Sequence, residues 1–133
     1  MPDLHTYDYA IVRVVPRVER GEFVNVGVIV CCAPQNYLRA LIDLDETRVR
    51  ALDAAVEMEA IREALAAIPA VCAGGRQAGA LGHLSLRERF DWLVAPRSTS
   101  IQISPVHTGR AHDLEEATER LLATLVRPGG RSG

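Results

Sequence analysis

Two runs near the start of the chain share one pattern. Residues 7–15 (YDYAIVRVV) and 23–32 (FVNVGVIVCC) are dense in β-branched and aromatic side chains, and a charged loop, 16–22, separates them. That combination predicts a β-hairpin. Pairing Val15 with Phe23 sets Val14 opposite Val24, Val12 opposite Val26 and Ala10 opposite Val28, all on one apolar face. The other face then carries Arg13 opposite Asn25, Ile11 opposite Gly27, Tyr9 opposite Ile29 and Tyr7 opposite Cys31. A slip of one residue would invert one strand against the other, so the match of faces fixes the register.

The period-two pattern returns twice. In 37–45 (YLRALIDLD), Leu38, Ala40, Ile42 and Leu44 alternate with Arg39, Leu41, Asp43 and Asp45, which predicts a third antiparallel strand. In 100–104 (SIQIS), Ile101 and Ile103 alternate with polar residues, and Pro105 ends a fourth. Between these strands the spacing becomes helical. Val49, Leu52 and Val56 form one stripe; Met58, Ile61, Leu65, Ile68 and Cys72 form another, out of phase with the first. The region is either two helices or one bent near Glu57, fraying through Pro69 and stopping at Gly74-Gly75. Ser85 with Glu88, and Asp113 with Glu116, have capping-box spacing. They open a short helix carrying Leu86, Phe90 and Leu93, and a last one striped by Leu114, Ala117, Leu121 and Leu125. The fold class is therefore α+β: an antiparallel four-stranded sheet opening with a β-hairpin, one face covered by three or four helices. Residues 1–127 are expected to form a single domain, and 128–133 a disordered tail.

Composition narrows the function. A chain of 133 residues can bury one core without metals or disulfides. A formal net charge of −2 lacks the basic footprint of nucleic-acid binding, so no nucleic-acid partner is expected. Every one of the 15 basic residues is Arg. Arg suits planar anion recognition, but abundant Ala and Gly make codon usage in a GC-rich genome the simpler source. The start, MPDLHTYDYA, has neither the basic end nor the apolar run of a leader, and no apolar segment reaches membrane-span length. The expectation is a cytoplasmic chain with reduced thiols and no membrane association. Cys31 and Cys32 are adjacent in a strand and point to opposite faces, and Cys72 lies in a helix. All three read as small apolar filler, with no metal and no cofactor implied.

Polar residues concentrate in two places. Gly27 beside Asn25 and Arg13 would leave a gap on the polar face of the hairpin, and a strand glycine marks a bulge or a close approach by ligand or backbone. One reading makes this a recognition surface with Arg13 as anion donor and Asn25 as bidentate hydrogen-bonder. The plainer one is a solvated face on which Arg13 and Asn25 pair with each other. In the loop itself, Gly21 is expected at positive φ. The second concentration is 96–113 (PRSTSIQISPVHTGRAHD). His107 and His112 have zinc-ligand spacing without visible further ligands. Ser104, His107 and Asp113 could supply a nucleophilic trio without a nucleophile elbow. Arg97, His107 and Arg110 could hold a phosphate while the imidazole acts as acid or base. Against all three, Asp113 already serves as a helix cap, and an ordered loop needs such side chains to satisfy its own backbone. The run GGRQAGALG follows a helix and lacks the Lys and Ser/Thr of a phosphate loop, so it is set aside.

With these residues in view, YDYAIVRVVPRVERGEFVNVGVIV followed by APRSTSIQISPVHTG resembles a bacterial family, domain of unknown function three-zero-three-seven, over nearly the whole chain. The positions matching its pattern are Tyr9, Pro16, Glu22, Phe23, Asn25, Gly27, Arg97, Ser98, His107 and Gly109. The resemblance brings no catalytic assignment. It implies a genomic setting beside a HipA-like kinase-fold protein, and hence an accessory role. The leading expectation is a binding module for a protein partner, such as a HipA-like kinase, with Arg13, Asn25, Gly27, Arg97 and Ser98 in recognition. The alternative is a small enzyme acting on a phosphate-bearing or nucleotide-like substrate, with His107 as acid/base. A third possibility is a structural domain that forms homo-oligomers.

Overall fold

The hairpin forms where the alternation places it. In the computed structural model, which describes residues 3–96 and 99–128, β1 (His5–Val14) pairs antiparallel with β2 (Val24–Cys32). A short 3-10 turn over Val18–Arg20 closes the loop at Gly21, whose φ of +70° is one that side-chain-bearing residues rarely adopt. Val14 faces Val24 and Arg13 faces Asn25, as the sequence requires. Beyond them the register slips: Val12 pairs with Gly27, Ala10 with Ile29 and Tyr9 with Val30. Val26 is the extra residue of a β-bulge. The slip is invisible in the sequence because β2 is apolar on both faces after Asn25, so either phase buries hydrophobic side chains.

β3 (Tyr37–Ile42) adds to the far side of β2. On the other side, β1 pairs with β4 (Ile101–Ile103) and then with β5 (His107–Ala111). The sheet has five strands, in the order β3-β2-β1-β4 with β5 also on β1, rather than the expected four. β5 escaped the pattern because HTGRA has no alternation and only one β-branched residue. It is a strand by virtue of its pairing with His5–Tyr9. Pro105 interrupts this edge, and Ser104 repairs the ladder there. Its hydroxyl accepts from the Ile11 N–H at 2.8 Å, and its own N–H donates to the Ile11 carbonyl at 2.9 Å.

α1 (Glu46–Leu52) and α2 (Met58–Ala73) are separate helices. The Asp53 carboxylate accepts from the Ala55 N–H at 3.0 Å, a local bond that competes with helix continuation. α2 runs through Pro69 as regular helix to Ala73, without the expected fraying, and ends at Gly74, φ +72°, where the sequence places the stop. α3 (Leu86–Val94) starts on the full Ser85/Glu88 capping box. α4 (Leu114–Leu125) starts on Asp113, which accepts from the Glu116 N–H at 3.1 Å.

The three helices α1 to α3 cover one face of the sheet, here called the front. Val12, Val14, Val26, Ile29 and Cys31 meet Val49 of α1, Ile61, Leu65 and Ile68 of α2, and Phe90 and Leu93 of α3. The back face was expected to be the polar one. Instead α4 lies across its β2–β3 half, where Leu114 and Ala117 pack on Val30 and Cys32, and Leu122 on Val28. The bulge makes this possible by turning Val28, Val30 and Cys32 to the back. Residues 129–133, most of the expected tail, lie outside the described residues. Among the described residues no helix is long and apolar enough to cross a membrane.

Candidate functional site

A broad concavity lies beside the front-face core. α2 buries Ile61, Leu65 and Ile68 and turns Ala60, Ala64 and Ala67 toward its flank. Small side chains at this helical spacing leave room, and the room is enclosed by the 53–57 connection, by Trp92 and Leu93 of α3, and by β4. The cavity measures about 590 Å³, well within the range of ligand and partner sites. Its polar residues are largely occupied locally. Asp53 holds the Ala55 N–H, Gln102 Nε2 donates to the Thr99 carbonyl at 3.1 Å, and the Thr99 hydroxyl closes both backbone groups of Ile101. What remains to contact a ligand is mainly apolar surface, with Glu57 and Ser100 among the lining residues.

A second feature is a polar row across the back face. The register aligns Gln102 of β4, Arg13 of β1 and Asn25 of β2. Asn25 Nδ2 donates to the Leu125 carbonyl at 3.1 Å and so fastens the last turn of α4 to the sheet. The Arg13 guanidinium carbon lies 4.3 Å from the centroid of the Phe23 ring. Arg13 Nε and Asn25 Oδ1 are both shut from solvent without a hydrogen-bond partner. Gly27, the third residue of the expected surface, is not a gap. A Cβ there would stand 2.6 Å from Ile42 Cδ1 and 2.7 Å from the Leu41 carbonyl oxygen, so glycine is present because β3 passes close by.

The third region is the β5 edge. His107 is exposed, its ring tilted against Tyr9 at a centroid distance of 5.4 Å. Tyr9 precedes Arg13 by four residues on β1, which separates His107 from the guanidinium row by about 13 Å along the strand. The Ser104 hydroxyl donates to the Pro105 carbonyl at 2.9 Å while accepting from Ile11, and Asp113 caps α4. Neither is bonded to His107 among the described residues, so the Ser/His/Asp trio is not assembled there. His112 Nδ1 lies 3.1 Å from the Asp3 carbonyl oxygen. Gly109 admits the Tyr7 ring, whose Cζ would lie 2.6 Å from a Cβ. Arg97 and Ser98 lie outside the described residues.

Other groups have structural uses. Burial pushes the Cys31 thiol up to about 11 and the Cys72 thiol up to about 12, which removes both as nucleophiles near neutral pH. Burial also raises Tyr37, whose hydroxyl lies 2.7 Å from Thr118 Oγ1 under α4. Among the described residues no three His, Cys, Asp or Glu side chains gather to hold a metal. The apolar groove was missed in the sequence. Its signal was the Ala60/Ala64/Ala67 row beside the buried stripe of α2, but alanines at that spacing also occur on ordinary helix flanks.

The family described as "Protein of unknown function (DUF3037)" matches residues 9–126, and the chain belongs to it. No curated protein and no solved structure matches the chain.

Proposed function

We propose that the protein is a binding module, and that an apolar segment of a protein partner seats in the groove between α2, α3 and β4. The observation that carries this reading is the groove itself: a cavity of about 590 Å³ with mainly apolar walls, in which Asp53, Thr99 and Gln102 are engaged with nearby backbone. Small-molecule sites rely on a few convergent polar groups to orient the ligand. A groove poor in such groups is better matched to the apolar anchors of a protein segment. The alanines of α2 let a partner backbone come close. The HipA-like kinase-fold protein implied by the family resemblance is the first partner to test. Acid–base chemistry by His107 has no comparable observation behind it, since that imidazole stands on an exposed edge strand away from Arg13.

The test is a binding titration of the purified chain against that kinase-fold protein, with Ala64→Arg filling the groove and Arg110→Ala as an exposed control. Ala64→Arg is expected to weaken binding by at least about tenfold while the control does not, the loss of one buried anchor being worth that much. Equal binding by Ala64→Arg and wild type would remove the groove from the interface. Absence of binding by wild type would remove that partner.

A further inference from the structure

We propose that Arg13, with Asn25, Gln102 and Phe23 around it, forms an oxyanion site on the back face of the sheet, taking a carboxylate or phosphate carried on an apolar group. The site is centred away from the groove, which lies at the front of the sheet and its edge, and the two share only Gln102 of β4 among the residues named for the site. Its centre is an arginine that the protein leaves unsatisfied. Arg13 is half-buried, forms no ion pair among the described residues, and donates no hydrogen bond from its side chain to them. Its contact is the Phe23 ring.

Arg89, the other half-buried arginine described, shows what the fold does when such a cation is only structural. Its Nε, like that of Arg13, is shut from solvent without a partner, but its terminal nitrogens donate to the Leu84 carbonyl at 2.7 Å and the Cys72 carbonyl at 3.4 Å, whereas those of Arg13 donate to nothing among the described residues. A guanidinium N–H shut from water without an acceptor is costly, and an anionic ligand reached by the terminal nitrogens of this half-exposed side chain offsets that cost. The neighbours fit the same task. Asn25 is fixed in place by one Nδ2 hydrogen given to the Leu125 carbonyl, which leaves the second Nδ2 hydrogen to donate to an anion, while its Oδ1, an acceptor, takes no part in holding one. The bulge between Val12 and Arg13 lies immediately beside the row, where such irregularities re-aim a side chain. Phe23 is 46% exposed and holds the guanidinium against its ring. Its remaining surface can receive the apolar part of a ligand. Arg is suited to the anion itself, because its planar fork matches both carboxylate and phosphate.

The experiment is a titration of the full-length chain, followed by amide chemical shifts, with phenyl phosphate, benzoate and inorganic phosphate. Saturable shifts are expected at residues 13, 23, 25 and 102. Arg13→Met should weaken binding by at least about tenfold, in line with a charge-assisted contact. Arg13→Lys, which keeps the charge without the fork, covers the case in which Arg13→Met does not fold, and should also weaken it. Phe23→Ala should weaken phenyl phosphate and benzoate more than inorganic phosphate, and Arg110→Met should change nothing. Phenyl phosphate binding without benzoate would assign the site to phosphates, and the reverse to carboxylates. Absence of saturable shifts on the back face, or equal affinity of wild type and both Arg13 variants, would overturn the proposal.

Discussion

The two faces of the sheet are closed by different means. On the front, three helices press on one continuous apolar cluster that runs from Val12 and Ile29 through Ile61 and Leu65 to Phe90. Specific bonds there, such as Arg62 to Glu46 at 2.7 Å and Arg87 to Asp8 at 2.8 Å, lie on exposed or half-buried side chains around the cluster, which is itself apolar. On the back, α4 closes only the β2–β3 half, over two small clusters. It is fastened by individual bonds: Asn25 to the Leu125 carbonyl, Tyr37 to Thr118, Arg39 to Glu115 at 2.7 Å and Arg127 to Asp43 at 2.8 Å. The remaining half carries the Arg13 row and His107. An area-driven face tolerates adjustment and holds the fold. A bond-driven face is specific, incompletely covered, and has room for recognition.

The largest separation between the faces should come from deleting one large side chain on each. Phe90 is fully buried at the centre of the front cluster, and Phe90→Ala is expected to cost about 3–5 kcal/mol. Leu122 sits in the small back cluster. Leu122→Ala should fall near the lower end of the usual leucine range, about 2 kcal/mol. Urea denaturation of both variants measures this, and equal losses would erase the distinction. Gly27→Ala tests the strand that serves both faces. The added methyl would meet the Leu41 carbonyl oxygen, which belongs to the backbone of β3 and cannot rotate away. A loss of about 1–3 kcal/mol is expected from overpacking. A neutral result would show that β3 can move off β2 without harm to either face.

The same contrast explains what was legible in the sequence. The front face follows from period alone: Val12 and Val14 in the strand, Ile61, Leu65 and Ile68 in the helix. The hairpin, the α+β class and both helix caps were readable for that reason. The back face was not. Its strand phase depends on a bulge that an all-apolar β2 conceals. β5 is a strand only because β1 offers it an edge. The dock of α4 rests on Asn25 reaching a carbonyl 100 positions away in the chain, and no local pattern encodes such a bond. For the same reason Asn25 and Gly27 stood out as unusual strand residues before their uses were visible. One fastens a helix end, and the other makes room for a neighbouring strand. Arg13 was singled out by the same reasoning, and among the described residues its half-buried side chain donates to no acceptor.

The smallest expected effect is the most discriminating. Asn25→Ala removes the bond that holds the last turn of α4 and exposes nothing of the front core. Its global cost should be about 1 kcal/mol, the worth of one hydrogen bond. Its local signature should be larger in proportion. Amide exchange is expected to accelerate in the last turn of α4, around Leu122 to Leu125, with front-face amides in β1 and α2 slowed or quickened only by the global change. Such a split would make α4 a separately opening unit laid on a cooperative front layer. If exchange instead rises evenly in α4, β1 and α2, the back helix unfolds only with the whole domain. The two faces would then differ in how they are held, but not in when they let go.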